Sequence, residues 1–171
     1  RVYHTAGSGL PFGATKNDKK FKLLFLDVGL VKYATHMGTQ ASHYGEWPSL
    51  NSGALTEQFV GQEFLAYANK YCEPELFYWE RDEKSSSAEI DYLTNIGGKI
   101  LPIEVKAGAT GRLKSLQIFM SEKSCDLGIR ISERPLSFEK NILSIPLYMV
   151  SEISRLVSSL TSRAKACKKS S

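Results

Sequence analysis

The sequence predicts an α/β (α+β) fold in which helices flank one mixed central sheet, and three observations carry that prediction. Apolar residues recur at helical spacing over 51–71, 111–123 and 151–166. Between these segments lie short runs that alternate or stay apolar, as strands do. The pair Gly97-Gly98 joins two of those runs in the manner of a hairpin turn.

Taken in order, RVYHTAGSGLPFGATKNDKK (1–20) is rich in glycine, polar and basic residues, and reads as an irregular connection with room for a short strand. FKLLFLDVGLV (21–31) reads as an apolar strand closed by Asp27 and Gly29, and 32–50 as a loop with some short helix. NSGALTEQFVGQEFLAYANKY (51–71) offers Asn51 or Ser52 as a helix cap. Its Leu55, Phe59, Val60, Phe64, Leu65 and Ala68 follow the helical period. ELFYWERD (75–82) is an aromatic strand, and the polar turn EKSSS leads into the alternating AEIDYLTN. After the glycine turn KILPIEVKAG returns, then GRLKSLQIFMSEK makes a helix. DLGIRIS and NILSIPLYMV are strands, and SEISRLVSSLTSRAKA is a closing helix. The helical link between 104–106 and 127–131 predicts a parallel crossover.

Composition narrows the function classes. The chain has 171 residues, 42% apolar and 23% charged, which suits one globular domain. No stretch approaches the roughly 20 apolar residues of a membrane span, so no membrane partner is expected. Cys72, Cys125 and Cys167 are scattered and odd in number, which argues against a disulfide framework or zinc ribbon and fits the reducing cytoplasm. His4, His36 and His43 show no ligand spacing. A net charge of +4 is compatible with a polyanionic partner. The ending SRAKACKKSS, with Arg163, Lys165, Lys168 and Lys169, reads as a solvated basic tail or a phosphate-contacting arm.

The hairpin brings acids together. A two-residue loop at Gly97-Gly98 pairs Ile96 with Lys99, so paired positions sum to 195 and Asp91 faces Glu104. Glu89 then faces Lys106, and Lys106 shares a strand face with Glu104. Facing carboxylates repel unless one is protonated or a cation lies between them. A hard divalent ion such as Mg²⁺ suits the second remedy, and Lys106 could then steady developing negative charge. The competing reading is a solvent-facing charged lattice with Glu89 on Lys106. Glu57 lies on the helix face of Val60, Gly61, Phe64 and Ala68, where a carboxylate needs a partner or a cation. It could equally serve the helix dipole as a first-turn acid.

Glu57 in ALTEQFVGQEF, Asp91 in AEIDYL, and Glu104 with Lys106 in PIEVKAG, taken with the element order, resemble the PD-(D/E)XK nuclease superfamily. FLDVGL and GALTEQFV look more closely like the C-terminal domain of unknown function of prokaryotic AAA-type ATPases, over about residues 21–132. That resemblance implies a restriction-endonuclease-like domain over 21–160, between the connection at 1–20 and a basic tail at 161–171. It implies Mg²⁺ or Mn²⁺ as cofactor, with Asp91 and Glu104 as metal ligands and Glu57 as an accessory ligand through water. Lys106 would polarise water or phosphate, and DNA would be the substrate. Relatives carry an ATPase and a winged-helix region upstream; the lack of a G-x-x-x-x-G-K-[ST] loop suggests either an excised C-terminal domain or a stand-alone piece, and the start at Arg1 favours excision. Lys19, Lys20, Lys22, Arg112 and Lys114 are candidate phosphate contacts. The alternative is a non-catalytic module that binds DNA or docks on its own ATPase. Phe77, Tyr78 and Trp79 read as core rather than a base-stacking platform.

Overall fold

A computed structural model describes residues 1–34, 52–71, 73–81 and 87–169. The chain opens with β1 (Val2–Thr5), a 3-10 turn (Phe12–Thr15), β2 (Lys16–Lys22), α1 (Val28–Ala34) and α2 (Ser52–Ala66). Next come β3 (Leu76–Glu80), β4 (Glu89–Ile96), β5 (Lys99–Val105), α3 (Lys114–Glu122) and β6 (Gly128–Ser132). The hairpin β7 (Ser137–Glu139) and β8 (Ile142–Pro146), a second 3-10 stretch (Leu147–Glu152) and α4 (Ile153–Lys169) complete it.

These strands form one mixed sheet in the order β2-β1-β3-β4-β5-β6-β8-β7. β1 runs parallel to β3, and β5, β6 and β8 are mutually parallel neighbours; the remaining pairs are antiparallel. The fold is therefore α+β, with helices on both faces of the sheet. Strand alternation sorts the core into two layers. Ile103, Val105, Ile129, Ile131 and Ile145 pack with Val60 of α2 and with Ile153 and Val157 of α4. Phe77, Trp79, Ile90 and Leu93 pack with Leu116 and Phe119 of α3. Phe77, Tyr78 and Trp79 are buried, as a core reading requires.

Two segments differ from the reading of the sequence. The stretch 1–20 supplies β1 and most of β2 instead of an irregular connection, because β1 docks parallel on β3 and tertiary pairing overrides its weak local signal. The run 21–31 is not one strand: β2 ends at Lys22, and Asp27 caps α1 by accepting the N–H groups of Gly29 (2.6 Å) and Leu30 (3.3 Å) through Oδ1. Between them the Gln58 amide replaces a strand partner, accepting from the Phe25 N–H and donating to the Leu23 carbonyl. β7 is a short addition paired to β8. At the far end the backbone stays helical to Lys169. The expected loop over 35–50, the Asn51 cap, the turn at 83–86, His36, His43 and Cys72 lie outside the described residues, as do the side chains of Arg163, Lys165, Cys167, Lys168 and Lys169.

Candidate functional site

Gly97 and Gly98 take positive φ (62° and 77°), the conformation of a two-residue hairpin turn, and Ile96 pairs with Lys99. The register sum of 195 holds along the ladder as far as Tyr92 opposite Ile103. There the strands part. Two residues on in β5, the Val105 amide donates to the Asp91 carboxylate (Oδ2, 2.7 Å), and the Lys106 N–H donates to the Ile131 carbonyl of β6 (2.9 Å). On the other side of β4, Phe77 pairs with Leu93 and Trp79 with Ile90, so β4 holds one residue more than β3 across this interval. The resulting bulge falls at Asp91 and Tyr92 and turns side chains off strict alternation.

α2 brings the next acid. The Tyr92 hydroxyl donates to the Glu57 carbonyl (2.8 Å), tying the helix to the bulge. Gly61, one turn further on, permits this approach: a Cβ there would lie 2.5 Å from Tyr92 Oη and 2.7 Å from Leu24 Cδ1. Glu57, Glu89 and Asp91 thereby converge, each offering a carboxylate oxygen within 4.8 Å of the others. Lys22 of β2 reaches into the cluster, 2.9 Å from Glu57 Oε1 and in contact with Glu89 Oε1. Glu104 is buried; one oxygen takes Lys106 Nζ at 2.5 Å, and its Oε2 has no hydrogen-bond partner among the described residues.

Burial, then the negative charges of Glu57 and Glu104, push the Asp91 carboxyl up to about 7, against weaker opposition from the Val105 N–H and Lys22. Burial also raises Glu104, although Lys106 works against it. Lys22 goes the other way from a simple buried lysine: desolvation pulls it down, but Glu57 and Glu89 outweigh that and raise it. Lys22 thus pairs with two of the acids, and the third, Asp91, sits near half-protonation at neutral pH.

The four predicted site residues fall into two adjoining groups. Asp91 and Glu57 come together as expected, but the third member of their trio is Glu89; Glu104 stands apart on Lys106. The expected Glu89–Lys106 pairing of a charged lattice is absent among the described residues, since Glu89 lies opposite Glu80 and binds Lys22. Sequence reasoning gave Lys22 only as a phosphate contact and Glu89 only as a lattice partner. Lys20, another proposed contact, pairs with Glu80 at 3.2 Å. Three clustered carboxylates, with the unpartnered Glu104 oxygen beside them, make a hard oxygen donor set of the kind a divalent cation takes.

Residues 52–149 match the family described as Domain of unknown function (DUF4143). No curated protein and no solved structure matches the chain. Among the described residues, no helix is long and apolar enough to cross a membrane.

Proposed function

We propose that this chain, which belongs to the DUF4143 family, is a divalent-metal-dependent nuclease domain that hydrolyses DNA phosphodiesters. One observation carries the reading: a carboxylate from α2 and two from β4, Glu89 and the bulged Asp91, converge within 4.8 Å, beside an E-x-K strand whose acid has an oxygen without a hydrogen-bond partner among the described residues. Glu57, Glu89 and Asp91 would hold Mg²⁺ or Mn²⁺, with Glu104 as a further ligand or as an acceptor for a bound water. The ion would supply Lewis-acid stabilisation of the phosphate oxygens and a more acidic water. Lys106, kept at the site by Glu104, places a positive charge where negative charge develops on the phosphate. The resemblance of FLDVGL and GALTEQFV to the C-terminal domain of AAA-type ATPases supports an ATPase and a winged-helix region as partners in the same polypeptide.

A second reading has its own support. Lys22 already lies between Glu57 and Glu89, as a counter-ion would in a module that binds DNA or its ATPase without cleaving. Calorimetric titration of Mg²⁺ and Mn²⁺ into wild type, Asp91→Ala and Glu104→Ala, with plasmid and single-strand cleavage assays, separates the two. The nuclease reading expects binding that Asp91→Ala abolishes and cleavage that requires the metal. Wild type that takes up no metal at millimolar concentration, or binds it without cleaving either substrate, favours the module.

A further inference from the structure

Arg130, on β6, is only 3% exposed, yet among the described residues no carboxylate pairs with it. Its Nη2 donates to the Ala109 carbonyl (2.9 Å), while its Nε is buried without a hydrogen-bond partner among the described residues. Arg134 donates through Nε to the same carbonyl (2.7 Å), so one neutral oxygen serves two guanidinium groups. A buried cation without a counter-charge is costly, and a guanidinium carries five N–H donors in a fixed fork. Burial, and then the neighbouring Arg134, lower the Arg130 guanidinium from its ordinary value, as expected where the charge lacks compensation.

Both arginines line a cavity of about 360 Å³ between α3 and the β6-β8-β7 side of the sheet. Lys140, from the β7–β8 turn, lines it too, and so do Ser137 and Ser144, which stand in one row with Arg130 across the three strands. Glu139 is the acid of this lining, which leaves two positive charges uncompensated. We propose that this cavity binds a phosphate monoester group, held by Arg130 and Arg134 with Lys140 at its mouth. A monoester carries about −1.5 to −2 charge at neutral pH and three acceptor oxygens, matching the excess charge and the donors available. A phosphodiester or a carboxylate brings one negative charge and leaves the other cation bare. Two sources present the required chemistry, a free nucleoside monophosphate and the 5′-phosphorylated end of a nucleic acid strand. The inference does not depend on metal binding at Asp91.

The test uses the full chain in EDTA at fixed ionic strength, titrated with inorganic phosphate, AMP, and matched 5′-phosphorylated and 5′-hydroxyl oligonucleotides. Arg134 is exposed, so Arg134→Gln should leave folding intact, and Lys70→Gln makes the same charge change at an exposed position outside the cavity lining. Binding of AMP or of the phosphorylated strand should weaken about tenfold or more in Arg134→Gln and in Arg130→Gln, and stay unchanged in Lys70→Gln. Which of the two binds identifies the source. No binding of any probe at millimolar concentration, or equal weakening in Lys70→Gln, would overturn the proposal. So would a 5′-hydroxyl strand that loses as much affinity in Arg134→Gln as the phosphorylated one, since the cavity would then recognise backbone phosphates.

Discussion

Asp91 holds its proton to about pH 7 in the folded chain, against an ordinary value of 3.8. Between those limits the folded state binds more protons than the unfolded one, so its contribution favours folding at low pH and is lost as pH rises towards 7. In EDTA, Asp91→Asn should therefore be more stable than wild type at pH 8, on the order of 2 kcal/mol after allowing for solvent screening. The gap should close towards pH 4; urea melts across that range would refute the assignment by showing a constant difference. Lys22 has the opposite role at the same place. Replacing it by methionine leaves Glu57 and Glu89 without their counter-charge, so the metal-free protein should melt lower than wild type. If the carboxylates take metal, added Mg²⁺ should then raise the melting temperature more in Lys22→Met than in wild type. Differential scanning calorimetry with and without the ion decides this, and equal rises would separate Lys22 from the metal.

At the level of elements, the site depends on how closely α2 approaches β4. Alanine at position 61 would gain up to about 1 kcal/mol of helix propensity. Its Cβ would meet the buried, hydrogen-bonded Tyr92 hydroxyl at 2.5 Å, and overpacking of this kind costs about 1–3 kcal/mol. Gly61→Ala should thus be destabilised by about 1–2 kcal/mol, and less so in a Tyr92→Phe background. Additive losses in a double-mutant cycle would deny the contact. The same elements show what could be read from the sequence. The β4–β5 register was legible because a two-residue glycine turn permits little else, and α3 because its apolar period is regular. Glu89 was not, since its place in the cluster follows from a bulge that local pattern does not encode. The break between β2 and α1 was also hidden: 21–31 is apolar enough for a strand, and only the Asp27 cap ends that reading. Lys22 and Glu57 are 35 positions apart, and nothing short of the assembled sheet brings them together.

In the whole molecule, the stretch that matches the family, 52–149, is not the stretch that completes the sheet. β1 covers one edge of β3, and Ile153 and Val157 of α4 complete the core that Tyr92, Ile103 and Ile129 share. A fragment cut at 52 and 149 would bare the LFYWE strand along its hydrogen-bonding edge and uncover the apolar face beneath α4. Such an edge invites pairing between copies. The fragment should elute as aggregate by size-exclusion chromatography while the 171-residue chain does not, and a monodisperse fragment would show that the added elements are dispensable. The division has a second consequence, for inheritance. The matched stretch contains Glu57, Glu89, Asp91, Glu104 and Lys106, whereas Lys22 comes before it. Mutations that change the acids and mutations that change their built-in cation therefore fall in separate stretches of the gene. A replacement of Lys22 would therefore leave the matched stretch unchanged while it strips Glu57 and Glu89 of their counter-charge.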